Sequence, residues 1–364
     1  MIVTVSTCGT STLTNSTPYE DVKFLRDNAN KSEKDYSPEE TAHINAIISH
    51  KREVIAAASP EEVCKLSAEL NGFITYYKNT TGLDEAKRDT HYLIHTDTMQ
   101  GREATELIRL WGERNGIPMT LIQIDDLNTG SLEEFRLGIN NLVEWCANTL
   151  PGYRLPGYRV IFNLVGGFKS LQGYMQTLGM FYADETVYIF ETGGELLRIP
   201  KIPADFNVQA KQAVLDHLRK FRLMQRESLD RSECEGIPET LLEIIDGKCT
   251  LSTWGRLIFD EVGGEEYRTK LLDPISDRIQ FTRQAKAVAE DLTRDQLMSV
   301  NKALDKLSRQ IDNDEFLRSC NLRQLRQDRN MCEFNLWGAW RGFCHWEGQK
   351  LIIDEIKPGL HREN

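Results

Sequence analysis

The chain has 364 residues, 40% hydrophobic and 27% charged, with a formal net charge of -11. That length exceeds one ordinary core, so two or three domains are expected. The acidity argues against a surface that coats nucleic acid without discrimination. No run is long and apolar enough for a membrane span, and the N-terminus lacks the basic-then-apolar order of a secretion signal. A cytoplasmic location with no membrane partner is the expectation. Eight cysteines are scattered without a CxxC pair or a histidine at metal spacing, so packed, reduced thiols and no metal site are expected.

Along residues 1–203 apolar strands alternate with amphipathic helices. The spacing predicts strands at Ile2–Ser6, Thr90–Thr96, Met119–Ile124, Arg159–Val165 and Thr186–Glu191. Helices are predicted over Ser37–His50, Pro60–Tyr77, Gly101–Asn115, Ser131–Thr149 and Ser170–Tyr182. Ser37 as N-cap and Pro38 at the first helical position fix one start. Asn15–Tyr36 reads as a polar, irregular loop. The alternation implies βαβ units and a parallel sheet, a Rossmann-like α/β domain. Two prolines in Leu197–Pro203 mark its exit.

Three predicted strands end in small polar loops: Ser6, Thr7, Cys8, Gly9, Thr10 and Ser11; Thr96 and Asp97; and Asn163, Gly166, Gly167, Phe168 and Lys169. Hydroxyls and unobstructed backbone N–H groups at strand ends suit phosphate oxygens or polar ligand edges, and Lys169 can pair with phosphate. The G-x-G-x-x-G of dinucleotide enzymes is missing, as are HEXXH, GxSxG and Walker A patterns.

Residues 204–267 read as helices at Val208–Arg226 and Pro238–Asp246, followed by an amphipathic helix after Gly247. This suggests a small winged-helix-like unit. Over 268–364 a short strand, Arg278–Phe281, leads into helices Arg283–Leu292 and Asp295–Ile311. Period-two strands follow at Cys332–Leu336, Ala339–Trp346 and Lys350–Lys357, giving a three-stranded meander in a small α+β domain. Period two places Arg341, Phe343 and His345 on one face. Lys357, His361 and Arg362 follow at the next strand's end, and Arg318, Arg323, Arg326 and Arg329 form the most basic short stretch. Such an inventory suits metal-free RNA cleavage. Cations stabilise the phosphorane, and a histidine moves a proton near neutral pH.

The segments MIVTVSTCGTSTLTN and NLVGGFKSLQGYMQTLGMFYADETVYIFE resemble the CARF (CRISPR-associated Rossmann fold) domains of type III CRISPR-associated proteins, over about residues 1–200. The resemblance implies a homodimer that binds one cyclic oligoadenylate across its two-fold axis, cyclic tetra-adenylate being the symmetric choice. The loops at Ser6–Ser11 and Asn163–Lys169 would then be the ligand loops. Whether the domain also cleaves its ring stays open. The two helices, basic linker and meander ending in IIDEIKPGLHRE resemble RelE-type toxin ribonucleases, which cut mRNA in the ribosomal A site. That implies Arg341 as the phosphate-stabilising arginine and His361 and Arg362 as a terminal catalytic cluster. The tail has no tyrosine, so His361 or His345 would supply acid–base function. The resulting expectation is a ring-activated mRNA interferase that needs no cofactor beyond its activator. The alternatives are a ligand-responsive transcription regulator that binds DNA through residues 205–267, and a sensor or ring-degrading enzyme with a decayed tail.

Overall fold

Strand β1 (Ile2–Thr7) is buried along its whole length, as a central strand covered on both faces must be. In the computed structural model it lies between β2 (Thr90–Thr96) and β4 (Arg159–Asn163), parallel to both. The structure describes residues 1–359 except 155, 191–193, 204, 226, 313–321, 326 and 327, with backbone alone at 328 and 329. The described chain divides into two compact units, Met1–Asp205 and Phe206–Asn364. The expected boundary is at 203/204, and the division into units is at 205/206.

In the first unit, β3 (Thr120–Ile124), β5 (Glu185–Ile189) and β6 (Leu196–Pro200) complete a six-stranded sheet ordered β3-β2-β1-β4-β5-β6. All neighbours are parallel except the antiparallel edge pair β5–β6. The prolines of Leu197–Pro203 therefore do not end the sheet; the segment supplies an edge strand, where a missing N–H is tolerated.

Between β1 and β2 run α1 (Ser11–Thr14), α2 (Tyr19–Asp27), α3 (Pro38–Ala57), α4 (Pro60–Leu66) and α5 (Ala68–Lys78). Next, α6 (Met99–Arg114) joins β2 to β3. All six helices contribute to one apolar cluster with the sheet, centred on residues such as Ile44, Ile74 and Trp111. Helices α7 (Leu132–Thr149) and α9 (Lys169–Tyr182) pack together through Phe135 and Tyr174, with α8 (Pro151–Arg154) between them in sequence. Right-handed crossovers place these on the opposite face, because the winding of the sheet reverses between β1 and β4.

Ser37 caps α3 as expected, with a reciprocal capping box to Glu40. The single helix expected at Pro60–Tyr77 is two, because the Ser67 hydroxyl accepts from Leu70 N–H and starts a second helix. The expected loop Asn15–Tyr36 holds α2 and a 3₁₀ turn at Glu33–Asp35. Within α2 only Leu25 is buried, so no apolar periodicity announces the helix.

The second unit opens with α10 (Val208–Asp216) and α11 (Leu218–Met224), two helices where one was expected. Strands β7 (Leu229–Asp230), β8 (Leu242–Ile245) and β9 (Lys248–Leu251) form a sheet ordered β7-β9-β8, closed by α12 (Thr253–Thr269). The helix expected at Pro238–Asp246 is instead a 3₁₀ turn, Glu239–Leu241, followed by β8. Asp246 and Gly247 both take positive φ, the two-residue hairpin turn that Asp-Gly favours.

Then come β10 (Ile279–Phe281), α13 (Arg283–Glu290), α14 (Arg294–Asp312), β11 (Arg323–Leu325), β12 (Asp328–Asn335), β13 (Trp340–Glu347) and β14 (Lys350–Pro358). The expected three-stranded meander is the middle of a five-stranded sheet, β10-β14-β13-β12-β11. β10 adds in parallel to β14, and β11 adds antiparallel to β12. One face is packed by α14 through Val300, Leu304 and Leu307 against Cys332, Phe334, Cys344 and Ile353. The helix expected at Asp295–Ile311 matches α14 within a residue at each end.

The two apolar clusters of this unit meet at a buried polar triad: Arg222 of α11, Tyr267 of α12 and Asp305 of α14. No described helix is long and apolar enough to cross a membrane. The seven described cysteines are free thiols, all buried except Cys64.

Candidate functional site

Two strand ends meet at the point where the winding of the first sheet reverses. The Thr7 hydroxyl donates to Gly166 C=O at 2.6 Å, joining the end of β1 to the loop after β4. Gly9 lies so close to Gly167 that a β-carbon on Gly9 would stand 3.0 Å from Gly167 N. Gly167 has φ +92°, open to glycine at no steric cost. Loops at the carboxyl ends of parallel strands flanking a reversal line the crevice in which open α/β sheets hold ligands.

Within this junction the predicted residues divide. The Ser6, Thr7, Cys8 and Asn163 side chains are buried. Asn163 Nδ2 donates to Ser6 Oγ at 3.1 Å and to Glu69 C=O at 2.9 Å, so both side chains brace the loops from inside. The Cys8 thiol is directed into the core, and burial pushes its pKa well up. What the crevice offers is the partly exposed Gly9, Thr10, Ser11, Gly167 and Phe168, with Lys169 exposed at the start of α9. The Phe168 ring packs edge-on against Phe135, 5.8 Å between centroids, which anchors the second loop on α7.

At the third predicted loop, Thr96 and Thr98 share a hydroxyl hydrogen bond of 2.8 Å. Asp97 accepts from Asp126 N–H at 2.9 Å, tying the end of β2 to that of β3.

Glu69 went unnoticed in the sequence. It is 1% exposed and sits in the first turn of α5. Its carboxylate accepts from Gly9 N–H (2.8 Å), Ser11 Oγ (2.6 Å) and Ser67 Oγ (2.8 Å). The Gly9 N–H expected to serve a ligand phosphate is therefore already satisfied from inside the protein. The available signal was an acid at helical spacing with Phe73 and Tyr76 on an apolar face.

In the second unit the face of the five-stranded sheet opposite α14 gathers the other candidates. Arg341 pairs across β14 with Lys357, and Phe343 pairs with Glu355. Arg341 Nη1 donates to the carbonyls of Gly338 (2.9 Å) and Trp340 (2.7 Å). Lys357 Nζ is bonded to Glu355 and lies 4.9 Å from the centre of the Phe343 ring. Lys357 holds the Glu355 carboxyl below its ordinary range.

His345 Nδ1 is 2.8 Å from Asp354 Oδ2, and its Nε2 is 3.1 Å from Glu347 Oε1. Those hydrogen bonds, Asp354 first, raise the imidazole pKa above its usual value. Arg323, expected to be free for RNA, pairs with Glu333 at 2.7 Å. This face therefore interleaves cations with acids and is not simply basic. His361, Arg362, Arg318, Arg326 and the side chain of Arg329 lie outside the described residues. Among the described residues no three His, Cys, Asp or Glu side chains are grouped as metal ligands.

Residues 64–202 match the family model of a CRISPR-associated protein, Cas_APE2256. This region, which carries the Asn163–Lys169 loop and Glu69, is thus similar to a CRISPR-associated family. No curated protein matches the chain.

Proposed function

We propose that the chain is a ligand-switched RNA-cleaving effector of CRISPR antiviral defence. The first unit, paired with that of a second copy, receives a cyclic oligoadenylate, cyclic tetra-adenylate being the ring that suits a two-fold axis. The second unit then cuts mRNA on the ribosome without a metal, and translation and growth stop.

The observation that carries the reading is the junction of Gly9 with Gly167 at the reversal of the parallel sheet, within and beside the segment similar to a CRISPR-associated family. The strand, two helices and antiparallel strands of residues 279–358 support the RelE-like half. So does the convergence of Arg341, His345 and Lys357 on one face of that sheet.

The DNA-regulator alternative draws less support. Between β7 and β8 the described chain has only 3₁₀ turns, Arg231–Cys234 and Glu239–Leu241, where a groove-reading helix would have to stand. That stretch also carries Glu233, Glu235 and Glu239, which repel phosphate. Residues 206–269 serve instead as the connecting or ribosome-docking part of the effector.

A ring can switch the enzyme only by binding its active arrangement more tightly than the resting one. Calorimetry of the full chain with cyclic tetra-adenylate, paired with mRNA cleavage on ribosomes with and without the ring, tests both halves. Heat on binding and ring-dependent cleavage are expected. Cleavage that ignores the ring removes the switch, and intact mRNA under both conditions removes the enzyme.

A further inference from the structure

We propose that His345 is a resident imidazolium that protonates the leaving 5′-oxygen during RNA cleavage. Asp354 is its positioning residue, and Glu347 is a partner that substrate phosphate displaces. The inference rests on the cleavage reading above and assigns one proton within it.

The local chain shows how the pair is made. Pairing between β13 and β14 runs Phe343↔Glu355 and then Cys344↔Ile353, so Asp354 is an extra residue, a bulge. Leu351 and Ile353 face the core, and strict alternation would next bury Glu355 and expose Ile356. The bulge corrects this: Ile356 is buried, and Glu355 and Lys357 come out on the face that carries Arg341, Phe343 and His345. It also brings Asp354 Oδ2 to 2.8 Å from His345 Nδ1.

Ionised carboxylates only accept, so a ring with Asp354 on one nitrogen and Glu347 on the other donates from both. An imidazole that donates twice carries a positive charge. From β12, Met331 stands across from His345 with Glu333 next on the same face; from β14, Ile352 stands across, with Glu355 and Lys357 further along. Among the described residues no cation bonds the ring; on β14, Lys350 stands across from Glu347 and Lys357 is bonded to Glu355.

The two partners differ in exposure. Asp354 is 25% exposed and Glu347 65%. A phosphate arriving on this face can take the Glu347 position while Asp354 keeps the ring aimed.

In the step itself, hydroxide from solvent removes the 2′-hydroxyl proton, and the 2′-oxygen forms a bond to phosphorus. The bond from phosphorus to the 5′-oxygen breaks with its electron pair on that oxygen. His345 Nε2 gives its proton there, and a water molecule returns one to the ring. The products are a 2′,3′-cyclic phosphate and a 5′-hydroxyl.

NMR titration of the histidine rings in the full chain reads the charge without activity. His345 is expected to titrate above the ordinary value of about 6.5, and Asp354→Asn to move it down. Titration at or below the ordinary value, or no response to D354N, overturns the inference. Cleavage then tests the proton. His345→Gln is expected to slow ordinary mRNA by about 10²–10⁴-fold on ribosomes. It should barely slow an mRNA with a bridging 5′-sulfur at the cut site, because a thiolate leaves without protonation. Equal losses on the two substrates overturn the donor role while the cleavage reading stands. A high titration with no cleavage of either mRNA by the wild-type chain overturns the reading itself, and the donor role with it.

Discussion

Glu69 and Gly166 are spatially reciprocal: the carboxylate fills the volume into which a β-carbon on Gly166 would project. Gly166→Ala must therefore push Glu69 off Gly9 N–H and Ser11, the two bonds that hold the first loop, and off Ser67 at the start of α5. Overpacking of this kind costs about 1–3 kcal/mol, read as an earlier unfolding midpoint in urea. Because the two residues share one space, the costs should not add. In a Glu69→Ala background the same glycine substitution is expected to cost less than about 0.5 kcal/mol. Full additivity would show that the glycine is needed for something other than this carboxylate.

Asp305 accepts from Arg222 Nε at 3.1 Å and also from the Tyr267 hydroxyl, and Arg222 Nη1 donates to Asp273 C=O at 2.8 Å. Arg222 and Asp305 are almost entirely buried, so neither charge can be left alone. Arg222→Met is expected to cost about 3–5 kcal/mol by guanidinium unfolding, since it takes away the cation buried against Asp305. The pair Arg222→Met with Asp305→Leu should cost much less than either alone, since no unpaired charge remains. A double substitution as damaging as the sum would mean the site depends on shape and not on charge.

Several features of this fold were readable because one local signal decides them. Ser37-Pro38 with Glu40 fixes the start of α3, and the unbroken apolar run of β4 fixes a doubly covered strand. The meeting of Gly9 with Gly167 needs β1 beside β4; the alternation of strand and helix implies a parallel sheet but leaves that order open. The misreadings have local causes too. Asp246-Gly247 is a strong hairpin signal, yet the apolar residues before it suit a helix as well as a strand. Glu69 and Asp354 escaped notice because their roles are tertiary. One acid takes two of its three partners from the loop after β1, far off in sequence, and the other turns outward only through a bulge. In hindsight the two adjacent acids in Ile353-Asp354-Glu355-Ile356 mark where the alternation slips.

Glu185 makes the first unit acid-sensitive. Burial alone would raise its pKa, but hydrogen bonds from Arg198 (2.7 and 2.8 Å), helped by Arg159 at 2.9 Å, hold the carboxyl below its ordinary range. A carboxyl lowered by folding adds stability that is complete above its unfolded pKa and is lost as pH falls through the folded one. The stability gap between wild type and Glu185→Gln should therefore be constant above about pH 5 and close below about pH 4. Thermal unfolding from pH 7 to pH 3 checks this. A gap that widens on acidification would reverse the assigned sign.

Arg341 differs from its neighbours in how it is held. Lys357 is bonded to Glu355 and His345 to two acids, whereas the recorded bonds of Arg341 run from Nη1 alone to two backbone carbonyls. Its position is thus fixed while the rest of the guanidinium fork stays available to a phosphate among the described residues. Arg341→Ala is expected to lower cleavage of mRNA on ribosomes by about 10²–10³, the loss typical of one transition-state donor. Unfolding should shift by no more than about 0.5 kcal/mol, because the side chain is only partly buried and leaves no charge stranded. Arg341→Lys should recover little, since an ammonium cannot reproduce a two-pronged contact. Lys357→Ala should cost less than Arg341→Ala, because its ammonium is already shared with Glu355. If Lys357 proves the more important of the two, the phosphate sits nearer β14 than the fork of Arg341 allows.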